Sequence, residues 1–560
     1  MTVSVLAPSL VLIAGGLLLP LLRGWLRPAA MLVVPLLALV LIWQVPDGVA
    51  LEATFIGYKL VLVKGDALSR VFAAVFALMV FGGALFALNQ KRVGELAAAF
   101  CYAGSAIGVT LAGDLVTVFI FWELMAITST IVIWSAGPSA FSAGMRYAAI
   151  HLLGGVLLMA GIAGEVAATG SLAFGKLALD SVPRGLIMAG FLLNAGAWPL
   201  SAWLPDAYPE SSWSGMVFLS AFTTKTAVYV LLRAFPGTEL LIYLGLFMVF
   251  YGIVYAILEN DMRRILAYSI VNQVGFMVTG IGIGTEMALN GAASHAFTHI
   301  IYKALLLMSA GSVLYMTGKR KCTDLGGLFR TMPLTAACGI VGALSISSFP
   351  LTSGFVSKSM ISEAAGMQHL ALVWYLLAAA SAGVFLHAGI KFPWFVFFQK
   401  DSGLRPSEPP WNMRLAMIFF SMLCIGLGVL PGPLYAMLPY RVDYVPYTAS
   451  HVVFYLQLLL FSGLAFFLML GWLKRTLTIT LDVDWLYRGI GVVVVRTLDR
   501  TAEVVWQAIA SVATGSARAI ARAVRQHHGP ESILARTSPT GAMAFWTTVV
   551  LLAFLVLSYL

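Results

Sequence analysis

The sequence predicts an all-α polytopic membrane protein: about fourteen core transmembrane helices, a lateral amphipathic helix and a final transmembrane helix. Three observations predict it. Only 10% of the 560 residues are charged and 60% are hydrophobic, whereas a soluble domain carries roughly 25% charged residues. Apolar runs of about 20 residues, enough to cross a bilayer as a helix, follow one another with short breaks. The runs are continuous rather than alternating, which excludes a β-barrel.

The first run, 3–22, lacks a basic start and a small-residue cleavage pattern, so it reads as a retained span. Spans follow at 29–45, 66–88, 95–112, 114–135 and 145–168. The seventh element, 185–234, is overlong and interrupted from Trp198-Pro199 to Pro209. Then come 238–258, 262–284, 288–317 and 332–351, and a second interrupted element, 353–398, broken around 366–370. Spans 411–432 and 451–473 complete the core. From Trp485 to His528 there is no proline, and Arg488, Arg496, Arg500, Arg518, Arg522 and Arg525 recur along the stretch; it reads as one amphipathic helix before the last span, 541–560.

The two interrupted elements lie five spans apart, and each carries a lysine in its second half, Lys225 and Lys391. Five is odd, so tandem five-span units have opposite orientations. Broken helices at matching positions of inverted repeats point to an ion pathway. The expected organisation is N-terminal helices over 1–94, a first repeat (spans 4–8) over 95–260 and a second (spans 9–13) over 261–432. A last core helix over 433–473, the lateral helix within 474–540 and the anchoring span follow.

Charge near the bilayer centre costs roughly 2.5–3.5 kcal/mol even on lenient scales. Glu123 lies inside LVTVFIFWELMAITSTIVIW and Lys225 inside MVFLSAFTTKTAVYVLL. His295, His299 and Lys303 share one helix face at four-residue spacing, and His387 and Lys391 repeat that spacing. Glu123, Lys225, Lys303 and Lys391 are too far from span ends to reach the interface, which favours function. Lys358 sits near a helix break, where snorkelling and function are equally open. His151 reads as a packing residue, and Asp114 and Arg146 as span-end structural groups. Buried lysines with carboxylates nearby, and histidines, form a proton wire when water links them. No nucleophile with an oriented base is present, so hydrolysis is not expected.

The net charge of +10 resides in short loops and the tail, a pattern that suits cytoplasmic loops and anionic lipid rather than nucleic acid. Basic residues favour the loops after even-numbered spans, which places those loops and the N-terminus in the cytoplasm. Cys101, Cys322, Cys338 and Cys424 are isolated, and neither a P-loop nor a dinucleotide or haem motif is visible, so no cofactor and no metal site are expected.

These residues resemble the antiporter-like subunits shared by Mrp-type sodium/proton antiporters, respiratory complex I and membrane-bound hydrogenases. FWELMAITSTIVIW resembles the family's glutamate helix, and WPLSAWLPDAYPESSWSGMVFLSAFTTKTAVYVLLR its broken lysine helix. NDMRRILAYSIVNQVGFM, HAFTHIIYKALLLMSAGSVLY, DLGGLFRTMP and FPLTSGFVSKSMI continue in family order, and the likeness is dense from Asp66 to Lys400. Within the family the chain is most similar to the D-type members of Mrp antiporters. The resemblance implies that Glu123 and Lys225 form the ion pair of a first half-channel. Lys303 with His299 would be the central relay and Lys391 the terminal gate. It implies a monovalent cation (Na+)/H+ antiporter subunit, with other subunits and anionic lipid as partners, in the bacterial inner (plasma) membrane. The alternatives are a proton-pumping subunit of a complex I-like or hydrogenase-linked redox complex, or a non-transporting structural subunit, against which the intact charge row argues. Ser201, Tyr208 and Arg263-Arg264 depart from the family pattern, and 240–258 lacks the basic residue many members carry there. Water, or Tyr251 and Tyr255, would have to bridge Lys225 to Lys303. The tail resembles the long lateral helix of large members; resting on anionic lipid is its other reading.

Overall fold

In a bilayer every backbone polar group has to be satisfied within the segment, so continuous apolar runs become helices. The computed structural model describes residues 6–55, 57–473, 475–477, 481–530, 532 and 535–560. Its first helices are α1 (Pro8–Leu18) and α2 (Leu26–Gln44). A feature the sequence does not announce follows, an antiparallel hairpin of β1 (Gly48–Phe55) and β2 (Tyr58–Gly65). The Asp114 carboxylate fastens it to the core by accepting the Val61 N–H at 2.7 Å.

The first half continues with α3 (Ala67–Phe86), α4 (Val93–Leu111), α5 (Leu115–Trp134) and α6 (Phe141–Thr169). Asp66 and Asp114 cap α3 and α5 by accepting from the third backbone N–H of each. The seventh element is broken more than once, into α7 (Val182–Ala195), α8 (Trp203–Ala207), α9 (Gly215–Leu219) and α10 (Thr223–Ala234). Gly196, at φ +75, ends α7 in the left-handed conformation. Arg263 holds the interrupted stretch from outside, donating to the carbonyls of Pro209, Ser211 and Ser212 at 2.7–2.8 Å.

Then follow α11 (Leu240–Leu258), α12 (Met262–Ile283), α13 (Glu286–Thr317), α14 (Pro333–Ile346), α15 (Ser353–Met367) and α16 (Ala371–Val384). The helix continues beyond α16 as π-turns over Phe385–Lys391 and Trp394–Phe398. The expected break near 366–370 falls at 368–370, and a second interruption, 347–352, precedes α15 with Ser348 and Leu351 at positive φ. The core closes with α17 (Trp411–Val429), α18 (Gly432–Ala436) and α19 (Ala449–Leu468). Finally come α20 (Asp484–His528), 45 residues without a break, and α21 (Thr540–Tyr559).

Among the described residues thirteen helices are long and apolar enough to cross a membrane. α12 and α10 lie almost wholly inside the protein, while outer helices turn large apolar side chains such as Leu152, Val156, Phe247 and Val254 outward. Apolar outside and polar inside is the arrangement lipid requires; this is a multi-pass membrane protein. The chain divides into two compact units, Met1–Asp484 and Trp485–Leu560.

Candidate functional site

Polar side chains gather around the broken segment in the first half. Lys225, on α10, is completely buried. Its Nζ donates to the Ser220 carbonyl at 2.6 Å and to Thr224 Oγ1 at 3.0 Å; the first is a carbonyl freed by the gap between α9 and α10. Glu123, on α5, is half-buried, and its Oε1 has no partner among the described residues. The carboxylate occupies the niche that Gly155 of α6 leaves, where an added Cβ would collide with Oε1.

Glu123 and Lys225 are therefore not in direct contact, contrary to the ion pair the resemblance implies. Between their helices lies a hydroxyl and ring cluster that sequence reasoning missed. Tyr102 Oη and Thr223 Oγ1 are 2.5 Å apart, Tyr147 Oη lies 2.9 Å from Ser129 Oγ, and Tyr147 Oη lies 3.4 Å from Thr223 Oγ1. His151 stacks on Tyr147 with centroids 3.9 Å apart and meets Trp203 edge-on. It packs as expected, yet its Nε2 has no partner among the described residues, which leaves a polar atom open within the cluster. The signal was present in the sequence: Tyr147, His151 and Gly155 repeat every four residues on one face of α6.

The centre is α13. His295, His299 and Lys303 are each 0% exposed. His295 bridges Ser357 Oγ and Gln273 Oε1, both at 3.1 Å. Both ring nitrogens of His299 and the Lys303 Nζ have no partner among the described residues. Lys225 lies within Coulomb reach of all three, because α10 packs directly on α13. Tyr251 and Tyr255 point elsewhere, to Asp482 Oδ2 and the Leu481 carbonyl.

Beyond the centre, Lys358 of α15 is 0% exposed. Its Nζ faces the Phe276 ring at 4.9 Å and donates to the Ile346 carbonyl at 3.4 Å. Snorkelling is thereby excluded. His387 and Lys391 share the first π-turn, which is followed by Pro393, a residue whose missing N–H cannot continue regular α-helical bonding. Nδ1 of His387 faces the Gly383 carbonyl at 2.8 Å. Lys391 is buried as well. Its Nζ donates to the carbonyls of Ala256, Ile257 and Glu259 at 3.1, 2.5 and 2.5 Å. These belong to the C-terminal end of α11, where unpaired carbonyls and the helix dipole favour a cation.

The charges at the margins are paired. Arg146 grips Asp206 with two bonds of 2.7 and 2.9 Å, and Arg233 meets Asp66 at 2.7 Å. Among the described residues no group of three or more His, Cys, Asp or Glu is arranged to hold a metal ion.

Comparison with known proteins fits this architecture. Residues 112–386 match the family "NADH:quinone oxidoreductase/Mrp antiporter, TM". The chain is 30% identical over 419 residues to the D subunit of the Na(+)/H(+) antiporter of Alkalihalophilus pseudofirmus, covering 70% of this chain and 83% of that one. It is 29% identical over 393 residues to the A/B subunit of a probable K(+)/H(+) antiporter of Rhizobium meliloti, covering 65% of this chain but only 39% of that longer protein. The fold resembles a chain of the Mrp complex from Dietzia sp. DQ12-45-1b with a TM-score of 0.75 at 23% identity, covering 92% of this chain and 62% of that one. With the glutamate helix, the broken lysine helix and the histidine-lysine helix in the matched region, the chain belongs to the NADH:quinone oxidoreductase/Mrp antiporter transmembrane family, as an antiporter-like membrane subunit.

Proposed function

We propose that this chain is the ion-translocating subunit of a multisubunit monovalent cation/H+ antiporter of a bacterial inner membrane, with Na+ as the exchanged cation. One observation carries the reading. Lys225, Lys303, Lys358 and Lys391 form a row of buried ammonium groups, none of them in an ion pair among the described residues. An unpaired buried charge costs several kcal/mol. Groups held in that condition suit proton exchange with neighbours better than a permanent charge. His295, His299 and His387 lie between them as carriers, and Glu123 is the counter-charge of the first half. The two broken elements, which carry Lys225 and Lys391 in their second halves, belong in this reading to two inverted five-helix repeats, each lending one half-channel. Other membrane subunits complete the assembly. The name of the Alkalihalophilus relative favours Na+, that of the Rhizobium relative K+.

A second reading rests on the family itself, whose description joins antiporters to NADH:quinone oxidoreductase: the same relay would then pump protons for a redox arm. Everted vesicles carrying the whole complex separate the two. Cation-driven dequenching of a pH probe without any redox substrate supports exchange; dequenching that requires an electron donor supports the pump. In either case Lys225→Ala and Glu123→Ala should nearly abolish proton movement at unchanged protein level. Wild-type rates in those variants would overturn the relay.

A further inference from the structure

A carboxylate outside the expected row sits against the same broken segment. Glu95, in the first turn of α4, is 0% exposed. Its Oε1 accepts from Ser212 Oγ and Ser214 Oγ, both at 2.6 Å, and from Gln90 Nε2 at 3.2 Å. Its Oε2 is buried with no partner, and Glu95 forms no ion pair among the described residues. Hydroxyl donors are modest compensation for a buried negative charge, so this carboxyl gains by binding a proton at Oε2.

Position supplies the purpose. Ser212 and Ser214 stand immediately before α9, and Ser220, whose carbonyl holds Lys225, immediately after it. Glu95 and Lys225 thus grip opposite ends of one five-residue helix, with Ser214 and Ser220 about 9 Å apart along it at 1.5 Å per residue. One face of α4 continues from Glu95 to Tyr102, seven residues on, whose Oη meets Thr223 Oγ1 at the start of α10. On its other side Glu95 is next to the 90–92 loop, which carries Lys91 and Arg92.

Resting on the transport reading above, we propose that Glu95 is the proton-loading group of the first half-channel, taking a proton at the loop end of α4 and passing it along α9 towards Lys225. The O–H bond forms at Oε2 as a hydronium ion on the loop side gives up its excess proton and becomes water. On release that bond breaks, Lys225 Nζ, a neutral amine once it has passed its own proton onward, gains the proton, and a carboxylate and an ammonium remain. The charged groups in Coulomb reach are Arg92 and Arg263. Of the elements packed on α4, α1 and α9 carry no charge, α5 carries only Glu123, α10 Lys225 and Arg233, α3 Arg70, and β2 Lys59 and Lys64.

The test measures cation/proton exchange against pH in everted vesicles of the whole complex for Glu95→Gln, Glu95→Asp and Lys225→Ala. Gln keeps the acceptor for both serines but cannot load a proton. The expected result is an exchange rate down about tenfold or more with one limb of the pH profile lost, and recovery of both in Glu95→Asp. Wild-type rate and profile in Glu95→Gln overturn the proposal. So does a slow variant with an unchanged profile, which marks a scaffold, or a raised KM for the cation alone, which marks a cation site. Should Glu95→Gln fail to accumulate, Ser212→Ala with Ser214→Ala decides, because it strips the donors and keeps the carboxylate: the limb must shift along the pH axis, and an unmoved limb overturns the proposal. Full exchange in Lys225→Ala overturns the transport reading and takes this inference with it, whereas loss there beside a normal Glu95→Gln overturns this inference alone.

Discussion

Lys391 illustrates how one side chain is fitted to a task. Three carbonyls at the end of α11 receive its ammonium group, and the Glu259 carboxylate, next to them, is held by Arg264 at 2.8 Å. A small group with three donors suits that cradle, and it can give up a proton when the carbonyls move. A guanidinium is planar, larger and scarcely deprotonates. Lys391→Arg should therefore reduce exchange nearly as far as Lys391→Ala, by about a hundredfold if the proton step is limiting. Initial rates in everted vesicles at matched protein level check this. Near-normal exchange with Arg would show that Lys391 supplies fixed charge and no gate. The same residue marks a limit of sequence reading: its chemistry is visible in LHAGIKFPW, but the carbonyls that hold it belong to α11, more than a hundred positions earlier.

At the scale of elements, spans are legible because lipid leaves the backbone one solution per apolar run; the run 262–284 folds as Met262–Ile283 and 114–135 as Leu115–Trp134. The hairpin at 48–65 is hidden because its short apolar stretch, KLVLV, sits between two spans and reads as loop. Helix pairing is equally hidden, since it depends on small residues meeting across the chain. A Cβ on Gly275 of α12 would stand 2.6 Å from the Gly245 carbonyl oxygen and 2.8 Å from the Val249 nitrogen of α11. One on Gly252 would meet the Asn272 nitrogen and the Tyr268 oxygen at 2.7 Å. Backbone against backbone cannot yield as a side chain can, and close approach through small residues is how helices associate in lipid. Gly275→Ala should then push α11 from α12 and cost about 1–3 kcal/mol, seen as a lower unfolding temperature of the detergent-solubilised protein. Gly426→Ala, where nothing lies within 4 Å of the added carbon, is the control and should not differ from wild type. Equal melting of both variants would show that the glycine contact is dispensable.

The whole molecule poses the question of what its second unit is for. Every buried lysine and histidine of the proposed relay lies between Lys225 and Lys391, inside the first unit. The second unit contains α20, about 68 Å long at 1.5 Å per residue, and α21, none of whose residues is buried. Along α20, Leu486, Ile490, Val493, Val505, Ile509 and Val512 are exposed at spacings that place apolar side chains on a stripe. A stripe of that length needs a cover, and neighbouring subunits or the lipid surface are the two available. The first unit retains its own closure without the tail: Arg475 donates to the carbonyls of Cys322 and Leu325, and Asp482 accepts from Tyr251 at 2.5 Å and Tyr268 at 2.7 Å. Truncation after Asp484 keeps those bonds and removes only the second unit, so the shortened chain should still insert and fold. If α20 fastens the chain to its neighbours, solubilised membranes of the truncated strain should give a smaller or dissociated complex on a native gel, with the truncated chain present at normal level. If lipid is the cover, the complex should migrate at full size less the deleted mass, and only its attachment to vesicles should weaken; that result would refute the fastening role and leave the amphipathic stripe as a membrane contact.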